Sequence, residues 1–267
     1  MNIIVFSKDR SLQLDLFIRS FYKYVIDPYN YKINILYTYS NMEFKNGYDI
    51  LIEYYKYVNF IKEEKFKSDL LLLIPNKQYT VFFVDDDIFK ERIDFYDKQE
   101  LLFKNNLDII CRSLRLHPNL KECYPTNLIY TTHPSFYEIN DSFIFEWVNQ
   151  QGDYGYPMSL DGHIFRTNDI IQYMTQLDYN SPNTLESKLS NIYIKNKTKM
   201  ICYNNSIIVN NPCNIVQNIH TNRHGEEYSD ELNDKFLKNE RISLDNIDNI
   251  NNISCHQEIK IILIKTI

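Results

Sequence analysis

The chain has 267 residues, 44% hydrophobic and 24% charged, which is long enough for a sizeable core and too apolar for a disordered chain. Its formal net charge of −6 weighs against a non-specific nucleic-acid binder, which carries a basic face. Five cysteines (111, 123, 202, 213 and 255) form no CxxC pair, a usage that fits reduced thiols and a cytoplasmic location. The opening Met1-Asn2-Ile3-Ile4-Val5-Phe6-Ser7-Lys8 has too short an apolar stretch for a secretory signal, and no apolar run reaches membrane-spanning length.

Residues 3–6 predict a short buried strand. Leu14, Phe17, Ile18, Phe21 and Val25 recur at helical spacing, so an amphipathic helix is expected from Ser11 to about Val25, ended by Asp27-Pro28. A strand over 33–39, a helix over 48–58 and a helix over 66–74, stopped by Pro75, follow. A strand over 79–84 then runs into Asp85-Asp86-Asp87. This alternation predicts an α/β domain with a mixed, mostly parallel central sheet flanked by crossover helices.

In the second half, strands are expected over 107–114, 127–131, 163–166, 200–203 and 206–209, with an aromatic stretch at 143–148 that holds the sole Trp, Trp147. A lone Trp among many Tyr and Phe reads as core. Helices are expected over 168–177 and from Ser181-Pro182, where Ser caps and Pro takes the first helical position. Three of the five glycines fall between 152 and 162, where the backbone must bend or approach a ligand. From about residue 239 the chain becomes Asn-, Asp- and Ile-rich, and a peripheral helix or a partly disordered tail is expected. The boundaries drawn are one domain over 1–240 and a tail over 241–267.

The strongest signal is Val81-Phe82-Phe83-Val84-Asp85-Asp86-Asp87: a buried strand that ends in three carboxylates. Adjacent acids repel unless a cation neutralises them. Oxygen ligands suit Mg²⁺ or Mn²⁺, which often hold a substrate's phosphates. Asp85 and Asp87 are the expected metal ligands, because alternate side chains of extended backbone share a side. The plain alternative is a solvated acidic turn. No Walker loop, GxGxxG, GxSxG or HExxH occurs.

The acidic strand end resembles the Asp-x-Asp motif of nucleotide-sugar glycosyltransferases with the GT-A fold, family 2-like. Phe6-Ser7-Lys8-Asp9-Arg10 is similar to the segment that meets the nucleotide in that fold, and Ser159-Leu160-Asp161-Gly162-His163-Ile164-Phe165-Arg166 to its donor-sugar and acceptor segment. Ser181-Pro182-Asn183-Thr184-Leu185-Glu186 sits where the family carries an acid opening a helix; the resemblance spans roughly residues 1–225. It implies a donor, expected as a UDP-sugar, bound with Mn²⁺ or Mg²⁺, and transfer to a hydroxyl of a glycan, protein or small molecule. It also implies that Arg10, Thr38, Tyr39 and Ser40, at the ends of the first two strands, face the base and ribose, and that Asp85, Asp86 and Arg223 contact the donor. A late histidine, His220, would complete the metal shell beside Asp85 and Asp87.

Transfer to a hydroxyl needs a carboxylate to take its proton. Glu186 and Asp161 are the two candidates; a first-turn Glu that complements the helix dipole, and an Asp that binds sugar hydroxyls, are the other readings. His117, His133 and His256 stand isolated and are expected in structural or surface roles. A metal-dependent nucleotidyltransferase or phosphohydrolase, or a non-catalytic carbohydrate-binding module, are the functional alternatives.

Overall fold

Strand β1 (Asn2–Lys8) is buried almost throughout, and its side chains divide by parity. Ile3 and Val5 join one apolar cluster with Leu14, Phe17 and Phe21 of helix α1 (Ser11–Tyr24), whereas Ile4 and Phe6 join a second cluster with Phe66 and Leu70. Successive strand side chains point to opposite faces, so an unbroken apolar run requires cover on both. The computed structural model describes residues 1–74, 77–215, 222–245, 247 and 250–265.

After α1 come β2 (Ile33–Thr38), α2 (Met42–Tyr54), β3 (Asn59–Lys62), α3 (Phe66–Leu72), β4 (Tyr79–Val84) and the short β5 (Asp87–Phe89). Then follow α4 (Lys98–Asn105), β6 (Ile109–Ser113), β7 (Glu122–Cys123), β8 (Leu128–Ile129), β9 (Tyr137–Ile139) and β10 (Ser142–Glu146). The last elements are β11 (His163–Arg166), α5 (Thr167–Gln176), α6 (Pro182–Leu189), β12 (Lys199–Tyr203), β13 (Ile208–Asn210), α7 (Ser229–Leu237), β14 (Glu240–Ile242) and β15 (Leu263–Lys265). None of the described helices is long and apolar enough to cross a membrane.

Nine strands form one mixed sheet in the order β3-β2-β1-β4-β11-β6-β12-β10-β9. The first four are parallel, and β6 pairs in parallel with β12; β11, β10 and β9 pair antiparallel with their neighbours. The α/β class and mixed sheet are as expected, with parallel pairing concentrated in the N-terminal half.

This order decides what meets at one edge. From β1 the chain moves outward to β2 and β3 on one side and returns to β4 on the other, so the direction of winding reverses between β1 and β4. Open α/β sheets bind ligands at such a switch point, outside the carboxyl ends of the strands. The ends of β1, β2 and β4 lie there, in registers Phe6↔Val84 and Lys8↔Thr38. Because β11 runs antiparallel to β4, its amino end arrives at the same edge, and the Gly162 N–H donates to the Phe82 carbonyl at 2.9 Å. The carboxyl end of β6 joins it, delivering residues 114–117.

Local structure departs from expectation in places. Helix α2 starts at Met42, because the Asn41 side chain caps it by accepting from the Glu43 and Phe44 N–H groups, each at 3.0 Å. β3 and α4 were not expected; both are short, and α4 has a weak apolar pattern. Ser181 caps α6 as expected, with Thr184 completing a capping box. The segment from 239 onward is not a peripheral helix: β14 pairs with β15, and residues between them pack inward. The Cys255 carbonyl accepts from Asn210 N–H at 3.0 Å, Asn210 accepts from Gln257 N–H at 2.9 Å, and Asn252 accepts from the Ser206 hydroxyl at 2.6 Å. All five cysteines are buried free thiols.

Candidate active site

A cavity of about 800 Å³ opens at the carboxyl edge of β1 and β4. Asp85 and Asp86 form the turn after β4 and line it; both are buried. Arg10, the residue preceding α1, also lines it, and its Nη1 donates to Asp85 Oδ1 at 3.1 Å and to Asp86 Oδ2 at 2.7 Å. Nη2 donates to the Asn214 carbonyl at 2.6 Å. The other two carboxylate oxygens are also held: Asp85 Oδ2 accepts from Lys8 N–H at 3.1 Å, and Asp86 Oδ1 from the Asn210 amide at 2.9 Å. Burial pushes the Asp85 carboxyl up to about 6, with Arg10 opposing that rise and Asp86 adding to it.

Asp87 behaves differently. It begins β5, is fully buried and does not line the cavity. Its carboxyl accepts from Val84 N–H at 3.0 Å and from the Asn210 amide at 3.3 Å. The expected pairing of Asp85 with Asp87 on one metal assumed extended backbone; the chain turns at Asp85-Asp86, and the alternation is lost. Asp85 and Asp86, not Asp85 and Asp87, converge on a single point, and that point is Arg10 Nη1. No group of three or more His, Cys, Asp or Glu among the described residues has an arrangement that would hold a metal ion. His220, the third expected ligand, lies outside the described residues. Among the described residues, the donor set as folded does not make up a metal shell.

Asp161 reaches the cavity from the amino end of β11, on the turn that Gly162 makes with φ +69°. Only glycine adopts that backbone readily, and a Cβ there would lie 2.2 Å from Ile208 Cδ1. Asp161 Oδ2 accepts from Arg115 Nη1 at 2.9 Å and pairs with His256 Nε2 at 3.2 Å. Arg115 Nη2 reaches Asp153 Oδ1 at 3.2 Å, so one buried arginine ties the glycine-rich turn Gly152–Gly155 to Asp161. Asp161 also meets the Asp87 carboxyl. Burial and the facing Asp161 charge push Asp87 well above the usual carboxylate range. Burial opposes ionisation of Asp161 too, but the hydrogen bond from Asp87 and the charges of Arg115 and His256 outweigh it and hold Asp161 far below that range. The two carboxyls share one proton.

Glu186 lies in the second turn of α6, not its first, and lines the cavity. Its Oε1 accepts from the Ser159 hydroxyl and from Leu160 N–H, each at 2.9 Å. Its Oε2 accepts no hydrogen bond among the described residues. Arg223 also lines the cavity: its guanidinium stacks 4.1 Å above the Tyr124 ring, Nη1 donates to Asn127 at 3.4 Å, and the side chain is 45% exposed. Thr38 lines the cavity, whereas Tyr39 and Ser40 do not. Tyr39 sits beneath Lys62 Nζ at 5.0 Å, and Ser40 is held by the Asp9 carboxylate through its N–H and its hydroxyl, each at 2.8 Å.

Of the residues set aside in the sequence, Trp147 and His133 bond to backbone carbonyls, at 2.8 and 2.6 Å, away from the cavity. His256 is the exception: it lines the cavity and pairs with Asp161. Arg115, Asp153, Asn210 and Asn214 also build the site without having been singled out. Arg115 lies two residues past the end of β6, so strand order would have found it. Nothing local marks His256, which sits in a tail of low sequence complexity.

No family model matches the chain. Over 188 residues it is 34% identical to the bifunctional glycosyltransferase pgtA of Dictyostelium discoideum; this covers 64% of the chain and 24% of that protein, so the chain spans about a quarter of its relative's length. Among solved structures it is similar to S. aureus TarS, with a TM-score of 0.42 at 10% identity over 70% of this chain and 33% of that one. It is also similar to the WbbM bifunctional glycosyltransferase in its apo form, with a TM-score of 0.35 at 13% identity over 72% and 34% of the two chains. An active-site mutant of LgtC gives a TM-score of 0.34 at 9% identity over 89% and 96%.

Proposed function

We propose that the chain is a glycosyltransferase of the GT-A type, which moves a sugar from a nucleotide-diphosphate donor, first of all a UDP-sugar, to a hydroxyl acceptor. The observation that carries this reading is the Asp85-Asp86 turn, opening with Arg10 into a cavity of about 800 Å³ at the β1–β4 switch point. The 34% identity to a glycosyltransferase over 188 residues supports it. A cavity of this size falls within the range that holds small-molecule ligands, about 300–1,000 Å³.

In the proposed step the bond from the sugar C1 to the diphosphate oxygen breaks, and its electron pair leaves with the diphosphate. The acceptor oxygen bonds to C1, and its proton passes to Glu186. Glu186 suits that task, because two donors fix Oε1 and leave Oε2 unbonded among the described residues, on a side chain that lines the cavity. Asp161 suits it less. Arg115 and His256 help to hold it ionised well below the ordinary range, and so weakly basic; its place beside Gly162 suits contact with sugar hydroxyls. Charge that develops on the leaving diphosphate meets the guanidinium groups of Arg10 and Arg223. Attack with Glu186 as base inverts the anomeric centre.

The test is product analysis after incubation with a panel of nucleotide-sugars and simple hydroxyl acceptors, with Mn²⁺, with Mg²⁺ and with chelator. Release of a nucleoside diphosphate matched to new glycoside is the expected result. Release of pyrophosphate or of inorganic phosphate instead would assign the cavity to nucleotidyl transfer or to phosphate hydrolysis. Sugar binding that survives Asp85→Asn and Asp86→Asn, with no turnover under any condition, would make the chain a binding module.

A further inference from the structure

We infer that Arg10 is the cation of the acidic site, and that donor binding and transfer proceed without a divalent metal. This rests on the glycosyltransferase reading and specifies how its donor site is neutralised. Three carboxylates at a strand end need positive charge, and the folded chain supplies its own. Asp85 Oδ1 and Asp86 Oδ2 converge on Arg10 Nη1 at 3.1 and 2.7 Å, the place a metal would have to take. The guanidinium is not a surface group: the side chain is 9% exposed, and Nη2 is anchored on the Asn214 carbonyl at 2.6 Å. Its Nε is buried with no hydrogen-bond partner among the described residues, a donor left over in a side chain that lines the cavity.

The carboxylates are equally committed. All four oxygens of Asp85 and Asp86 accept hydrogen bonds, from Arg10, Lys8 N–H and the Asn210 amide. Asp87 does not line the cavity, and its carboxyl is taken up by Val84 N–H, the Asn210 amide and the Asp161 carboxyl. A metal that entered between Asp85 and Asp86 would strand a buried guanidinium without its counter-ions, a costly arrangement. Arg10 also keeps its charge at every working pH and needs no dehydration to act. The reaction balances without a metal: C1–O(phosphate) breaks with its electron pair going to the diphosphate, C1–O(acceptor) forms, and the acceptor proton goes to Glu186.

The experiment measures melting temperature with UDP, GDP and their sugars, and turnover with whichever donor is active, on the full chain in Mn²⁺ and in EDTA. The expected result is a nucleotide-dependent shift present in both conditions and a turnover that agrees within about threefold between them, with turnover lowered by about 10²-fold or more and the shift reduced in Arg10→Gln. Rescue of Arg10→Gln by Mn²⁺ would also support the inference, since it frees the carboxylates to take a metal the wild type does not need. Loss of the shift and of turnover in EDTA, restored by Mn²⁺, would overturn it while leaving the glycosyltransferase reading intact. No shift with any nucleotide in either condition would overturn both. Should Arg10→Gln fail to fold, the EDTA comparison on wild type and on Arg10→Lys still decides.

Discussion

The two halves of the molecule reach the same cavity by different routes. In the first 89 residues the site is made of strand ends: Lys8, Arg10, Thr38, Asp85 and Asp86 lie at or just past the carboxyl ends of β1, β2 and β4, which are parallel and adjacent. In the remainder, Arg115, Asp161, Glu186, Asn210, Asn214, Arg223 and His256 arrive from separate loops, a short strand, a helix and the C-terminal segment. The first half presents one arginine clamped on two acids. The second presents a network in which Arg115 joins Asp153 and Asp161, and His256 caps the same carboxylate. A parallel sheet edge places residues by topology alone; long connections place them through paired charges.

The sharpest division is between chemistry and support. Glu186→Gln keeps the side chain's size and its Oε1 contacts, and removes only the ability to take a proton. Turnover should fall by about 10²–10⁴-fold, with the nucleotide-dependent rise in melting temperature retained. Loss of nucleotide binding in this variant would move Glu186 to the donor side. Arg115→Met tests the supporting network. It leaves the buried Asp153 and Asp161 carboxylates without their shared cation and should cost about 3–5 kcal/mol, read as a fall in the denaturation midpoint with an unchanged slope. A loss under about 1 kcal/mol would mean that the Gly152–Gly155 turn and Asp161 are held in place without it.

The contrast also sets what the sequence discloses. Apolar runs at 3–6 and 79–84, with helical spacing from Leu14 to Val25, fix the parallel strands and α1, and the acids then fall at the ligand edge by strand order. Ser181-Pro182 marks α6 so clearly that Glu186 could be placed on it, one turn further along than expected. What stayed hidden depends on long-range pairing. The turn at Asp85-Asp86 breaks the alternation that would have joined Asp85 to Asp87, and only the tertiary position of Arg10 shows which acids converge. His256 is more than 90 positions from its partner Asp161, and its segment is held by contacts to Asn210, Ser206 and His117, none of which has a local signature.

His117 offers a pH test of that distant attachment. It is buried; Nε2 lies 3.0 Å from the Asn252 carbonyl and Nδ1 accepts from Asn119 N–H at 3.3 Å, so one neutral tautomer satisfies both nitrogens. Burial holds it down at about 4, against 6.5 for an unconstrained histidine. A lowered histidine pKa favours the neutral form, so its contribution is complete above about pH 6.5 and drains away as pH falls toward 4, since the unfolded chain then binds the extra proton. The full span is on the order of 3 kcal/mol. The melting temperature should fall over this window in wild type and fall less in His117→Gln. An equal slope in both would assign the acid sensitivity to other groups.

The smallest expected effect separates a tie from a ligand contact in the parallel half. Ser40 stands at the end of β2, where a nucleotide-facing role was expected, yet the Asp9 carboxylate holds both its N–H and its hydroxyl at 2.8 Å. Asp9 adopts φ 56°, a left-handed conformation that a non-glycine residue enters at some cost, so the pair of bonds stabilises the bend that carries the chain from β1 toward Arg10. Ser40→Ala removes one bond and keeps the other. It should lower stability by about 1 kcal/mol and leave nucleotide affinity within about twofold, because the hydroxyl never faces the cavity. Thr38→Val, two residues earlier on the cavity wall, should show the reverse, a weaker nucleotide-dependent shift in a chain of nearly unchanged stability. Should the two substitutions exchange these effects, the nucleotide would have to lie over the end of β2 rather than in the crevice between β1 and β4.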